Sequence, residues 1–97
     1  MQVIYLREAE IELQETVAFY EEKSLGLGAE FLDEIYTTVQ LIKRMPEASP
    51  LINSYARRAL LNRFEYGIVY RSFNNNQIIV LAVMHLKRKP NYWNKRK

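Results

Sequence analysis

The segment QIIVLAVMH, residues 77–85, is apolar on both faces from Ile78 to Met84. A strand with one wet face alternates polar and apolar side chains, because successive residues point to opposite sides of the sheet. This segment has no wet face, so it is expected as the central strand of a sheet. The rest of the chain must then supply its neighbours and its cover.

Two helices are expected upstream. VIYL (Val3 to Leu6) is short and β-branched and reads as a first strand. From Arg7 the period changes. Ala9, Leu13, Thr16, Val17 and Tyr20 recur at helical spacing, while Glu8, Glu12, Glu15 and Glu22 point elsewhere, which describes an amphipathic helix with an acidic, wet side. SLGLG (Ser24 to Gly28) ends it, since glycine tolerates the left-handed backbone common at helix ends. A second helix runs over 29–44, with Phe31, Leu32, Ile35, Tyr36, Val39 and Ile42 as its apolar stripe. Acids open it and Lys43 and Arg44 close it, as the helix dipole favours. Pro46 forbids its continuation. The short link makes the pair an antiparallel hairpin.

After a loop at Pro46 to Tyr55 the pattern becomes one of strands. ARRALL (Ala56 to Leu61) and EYGIVYRSF (Glu65 to Phe73) precede the central segment, and NNN (Asn74 to Asn76) reads as the tight turn before it. Pro90 breaks the chain, leaving NYWNKRK as a short C-terminal helix or tail. The expected order is β-α-α-β-β-β: an α+β fold with a helix hairpin on a mainly antiparallel four-stranded sheet.

The chain has 97 residues, expected to form one domain over 1–97. Apolar residues make up 48% and charged residues 26%, a balance that argues for a folded chain and against disorder. There are no cysteines, which removes disulfides, thiol nucleophiles and thiolate metal sites and fits a reducing cytoplasm. No stretch approaches the roughly 18 apolar residues of a membrane span. Residues 1–15 are acidic and interrupted, unlike a signal peptide. No His, Asp and Glu cluster has metal-ligand spacing, no glycine-rich phosphate loop occurs, and neither a metal nor a cofactor is expected. The net charge of +3 is unevenly spread: residues 1–34 carry −7 and residues 35–97 carry +10. Such a split suggests one face for an anionic partner and another for something different; solvated charge on both would look the same.

The spaced pattern Arg57-Arg58, Arg63-Phe64, Tyr66, Tyr70-Arg71, His85, Arg88, Pro90, Trp93 and Arg96 resembles the RelE/ParE superfamily of bacterial toxins from type II toxin–antitoxin modules. RRALLNRFEYGIVYR and IIVLAVMHLKRKPNYWNKR are similar to its plasmid-stabilisation, ParE-like branch, and AEIELQETVAFYEEKSLGLGAEFLDEI is similar to its helical half. Two positions depart. Glu65 stands where such sequences often have proline. Gly67 stands where RNA-cleaving members often carry a basic residue, so a main phosphate contact of that branch is missing.

The resemblance implies two readings. A RelE-like toxin cuts messenger RNA on the ribosome without a metal. It needs a proton-transfer group and cations for the charge developing on phosphorus. His85 and Arg88 are the candidate catalytic pair, since imidazole exchanges protons near neutral pH and guanidinium grips phosphate oxygens in pairs. By strict alternation His85 shares a face with Ile79, Leu81 and Val83, and neither Glu47 nor Glu65 pairs with it by spacing. A ParE-like toxin instead inhibits DNA gyrase by protein contact. Arg58, Arg63, Arg71, Lys87, Tyr92, Trp93 and Arg96 are the candidates for nucleic-acid or target contact under either reading. Tyr92 and Trp93 either stack on a base or pack the terminal segment onto the sheet. The ParE-like reading is preferred, and a family member that has lost toxicity is the third alternative. Both active readings imply a cytoplasmic chain and a cognate antitoxin that folds on binding, forming a hetero-oligomer with the toxin.

Overall fold

The computed structural model describes residues 1–74 and 76–96. Its elements are β1 (Gln2–Tyr5), α1 (Arg7–Lys23), α2 (Leu27–Arg44), β2 (Arg57–Leu60), β3 (Tyr66–Phe73) and β4 (Gln77–His85). The order is the expected β-α-α-β-β-β, with shifts of one or two residues at several ends. Of the Asn74–Asn76 turn, Asn74 has φ 57 and Asn76 N–H donates to Phe73 O, while Asn75 lies outside the described residues, as does Lys97.

The strands lie in the order β1-β4-β3-β2. β4 is central, as its two apolar faces require. It pairs parallel with β1 and antiparallel with β3, and β2 completes the sheet antiparallel to β3. The helices cover one face. Phe31, Ile35, Val39 and Ile42 of α2 bury against Ile68, Tyr70, Ile78, Val80 and Val83. The hairpin link is tight. Gly26 takes φ 88, and the Glu21 carboxylate accepts from the N–H groups of Gly26 (2.9 Å) and Gly28 (3.0 Å), capping the start of α2. A side chain at Gly28 would bring its Cβ within 2.6 Å of Val17 O, so the two helices touch there through bare backbone.

The other face has its own cover. Val69, Leu81, Ala82 and Met84 pack against Ala56 and Trp93, from the loop before β2 and from the C-terminal segment. The Asn53 side chain orders that loop by accepting from Tyr55 N–H and Ala56 N–H. Tyr55 Oη donates to Asn94 O at 3.2 Å, which ties loop and tail into one layer. The tail is a run of turns with bonds from Asn94 N–H to Asn91 O and from Arg96 N–H to Trp93 O; none of its described residues is in a helix.

One expectation about β4 fails. Its partners on β3 run Val69↔Ala82 and then Tyr70↔Val80, so Leu81 is an extra residue in the ladder. This β-bulge resets the alternation. Ile79 and Leu81 stay on the face away from the helices. Val83 and His85 are carried to the helix side, where Val83 joins the core under α1 and α2.

Candidate functional site

The bulge decides where His85 goes. Its ring meets Tyr66 edge-on with centroids 5.0 Å apart, because the register pairs Tyr66 with His85. The same register brings Glu65, unpaired by sequence spacing, to 4.0 Å from His85 Nε2. His85 Nδ1 accepts the Lys87 N–H at 3.0 Å. His85, Tyr66, Phe19, Thr16, Glu12 and Arg88 line a groove of about 260 Å³ between α1 and the end of β4.

Glu12 is the centre of this region. Its carboxylate accepts the Val83 N–H (3.0 Å), Tyr92 Oη–H (2.8 Å) and Arg96 Nη1 (3.0 Å), with Arg88 Nη1 at 3.4 Å. A carboxylate offers about four lone-pair positions, so this one is fully engaged. The Glu12 side chain is only 12% exposed. The Tyr92 ring lies beneath the guanidinium of Arg88, 3.7 Å from its centroid, with that of Arg96 at 5.0 Å. Burial, with the bond to Glu12, holds the Tyr92 phenol well above the usual tyrosine range. Burial works against the Arg96 charge, but the bond and the negative charge of Glu12 outweigh it and raise its pKa.

Glu12, expected on the wet side of α1, is turned inward instead. A signal was present. Glu12 is three residues after Ala9 and four before Thr16, and both are buried, so it lies on the inward stripe. Thr16 Oγ1 donates to the Glu12 carbonyl at 2.8 Å.

The candidate residues separate into three places. His85, Lys87, Arg88, Tyr92 and Arg96 gather at the end of β4. Trp93 is 1% exposed on the opposite face of the sheet, so it packs the tail down and offers no surface for a base. Arg58 and Arg71 belong to that face too. The Arg58 side chain lies over Gly67, where a Cβ would stand 3.0 Å from Arg58 Cγ; the guanidinium of Arg71 stacks 5.3 Å from the Tyr55 ring centre, and its Nε is buried with no partner among the described residues. Arg63 turns to α2. Its Nη2 is 2.6 Å from Glu30 Oε1, and the hydrogen bond to Glu30 raises its pKa. Glu34 accepts the N–H groups of Asn62 and Arg63, fastening the β2–β3 turn to the helix.

A second concavity lies between the C-terminal half of α2 and β2, about 500 Å³ in volume and lined by Leu41, Ile42, Met45, Pro50, Arg58 and Leu60. Leu41, Met45 and Leu60 are 50%, 59% and 56% exposed. The free side of β2 is partly closed here, since Arg58 N–H donates to Pro50 O and Leu51 bridges Arg57.

The family model for the ParE toxin of type II toxin–antitoxin systems, parDE, matches residues 3–90. The chain belongs to the ParE toxin family. A solved structure described as the chromosomal ParDE TA system from P. aeruginosa superposes with a TM-score of 0.75, covering 90% of this chain and 97% of that one at 16% identity, a likeness of fold. No curated protein matches significantly. The ParE-family match closes at Pro90, so Tyr92, Trp93 and Arg96 lie beyond it. As a type II toxin, the chain has an antitoxin as its family partner. Among the described residues no helix is long and apolar enough to cross a membrane, and no group of three His, Cys, Asp or Glu could hold a metal ion.

Proposed function

We propose that this ParE-family toxin arrests growth by stoichiometric protein contact with DNA gyrase and not by cutting RNA. The observation that carries this reading is the engagement of Arg88 and Arg96 by Glu12. A phosphate clamp needs guanidinium groups free to gather charge on a phosphorane. These two already face a carboxylate, and Gly67 supplies no cation in their place. The His85 lone pair at Nδ1 is taken by Lys87 N–H. A neutral ring bonded in this way carries its proton on Nε2, so neither nitrogen is ready to accept one from a ribose hydroxyl.

The RelE-like alternative has one observation of its own. His85, Tyr66 and Arg88 share a groove, and Glu65 approaches His85. Both readings place the toxin in the cytoplasm with a cognate antitoxin, and its apolar segment fits the groove beside Leu41, Met45 and Leu60, where exposed side chains surround an open concavity.

The deciding experiment compares purified toxin in two assays. One is DNA supercoiling by gyrase; the other is cleavage of messenger RNA on programmed ribosomes. Inhibition of supercoiling with intact RNA is expected. Ribosome-dependent cleavage with unaffected gyrase would replace this reading by the RelE-like one.

A further inference from the structure

Beyond Val80, β4 loses its neighbour. The last bond from the β1 side is Leu6 N–H to Val80 O, after which the chain turns into α1. Two polar backbone groups on this unpaired but buried stretch are taken by side chains. Val83 N–H goes to Glu12 and Leu81 O accepts from Arg96 Nη1 at 3.1 Å. Because Glu12 also binds Arg96, Tyr92 and Arg88, one carboxylate joins helix α1, the edge of β4, the turn after His85 and the tail.

This arrangement sorts the basic residues. Arg96 turns inward to Glu12, and Arg88, whose side chain is 53% exposed, reaches the same carboxylate at 3.4 Å. Lys87, Lys89 and Lys95 are exposed, and among the described residues their ammonium groups make no ion pair or hydrogen bond. We infer that Glu12 is a positioning residue for the target-binding surface, fixing the Lys87–Arg96 segment so that Lys87, Lys89 and Lys95 are the cations presented to an acidic protein surface. This rests on the contact reading above. A protein is favoured over nucleic acid because the stacking platform is closed. Arg88 stacks 3.7 Å from the Tyr92 ring centre, the Arg96 guanidinium lies 5.0 Å from it and Trp93 is buried, so both aromatics of the tail are already engaged. What stays open is compact, mobile ammonium charge, suited to steering two protein surfaces together.

Trp93 is the only tryptophan in the chain, so its emission reports whether the tail is seated. The test compares the parent, Glu12→Gln, Tyr92→Phe and the triple variant K87A/K89A/K95A as full-length, folded proteins. Each is measured for Trp93 emission, growth arrest, association with gyrase holoenzyme and binding to a single-stranded oligonucleotide. Glu12→Gln is expected to red-shift Trp93 and weaken growth arrest, with Tyr92→Phe between it and the parent. The triple variant should keep the parent's emission yet associate with gyrase on the order of tenfold more slowly. Unchanged emission or full toxicity in Glu12→Gln overturns the positioning role; if that variant fails to fold, an unchanged Tyr92→Phe does so. Full toxicity in the triple variant overturns the lysine assignment, and loss of oligonucleotide binding there instead of gyrase binding overturns the protein partner. A toxic parent that does not bind gyrase removes the gyrase reading, while emission and growth arrest still decide the role of Glu12.

Discussion

His85 and Glu12 occupy the same groove, yet they stand in opposite relation to the sequence. His85 was conspicuous as the only histidine, and its position at the end of β4 followed from the strand period. Its partners did not, because Glu65 and Tyr66 reach it across a strand register that no local spacing encodes. Glu12 was one acid among many, and only its place between buried Ala9 and Thr16 marked it. Under the contact reading, a folded His85→Ala variant should arrest growth as the parent does; a nuclease would lose roughly 10²- to 10⁴-fold in rate. Growth arrest with circular dichroism as the folding control checks this. Tyr92 gives a pH prediction. Its phenol titrates above the ordinary 10.0 in the folded chain. Below that pH the proton is bound in both states and its contribution is constant. Above it the unfolded chain releases the proton first, so stability falls with rising pH. Tyr5 and Tyr20 shift the same way through burial, so the measurement is the difference between parent and Tyr92→Phe. Urea unfolding from pH 9 to 11 should show a shallower fall in the variant, and equal slopes would exclude a shifted Tyr92.

At the scale of elements, periodicity carried the reading where each segment repeats itself. The α2 stripe Phe31, Ile35, Val39 and Ile42 is the core it was expected to be, and the two-faced apolar run is the central strand. The bulge at Leu81 was not legible, since strand periodicity does not mark where a ladder takes an extra residue. Of the aromatic pair in the tail, one member is core. Trp93 fills the second face beside Leu81, Ala82 and Met84, so Trp93→Ala should cost about 3–5 kcal/mol by cavity formation and lost burial. Chemical denaturation measures it, and a cost under about 1 kcal/mol would mean that the tail is not part of the folded core. Truncation from Tyr92 onward removes the buried Trp93 along with any target contact the tail makes under the contact reading. It cannot separate gyrase binding from catalysis, which is why the exposed lysines are the cleaner variants.

For the molecule as a whole, the division into −7 and +10 halves is partly internal. The acidic helical layer and the basic strand layer face each other, and Glu30 with Arg63 and Glu12 with Arg88 and Arg96 join them. Charge that looked reserved for two partners thus helps to register the layers. The apolar concavity between α2 and β2 lies apart from the Glu12 groove, with none of its lining residues in common. That separation allows neutralisation and toxicity to be tested independently. If the antitoxin anchors an apolar segment beside Leu41 and Met45, Leu41→Glu places an unpaired charge in the contact. A loss of 2 kcal/mol or more, roughly 30-fold in affinity, is the scale of a central interface residue. Leu41 is half exposed, so the fold should tolerate the change. The variant is expected to arrest growth alone and to continue doing so when the antitoxin is co-expressed. Full rescue by the antitoxin, with unchanged affinity in a direct binding titration, would move the docking site away from this groove.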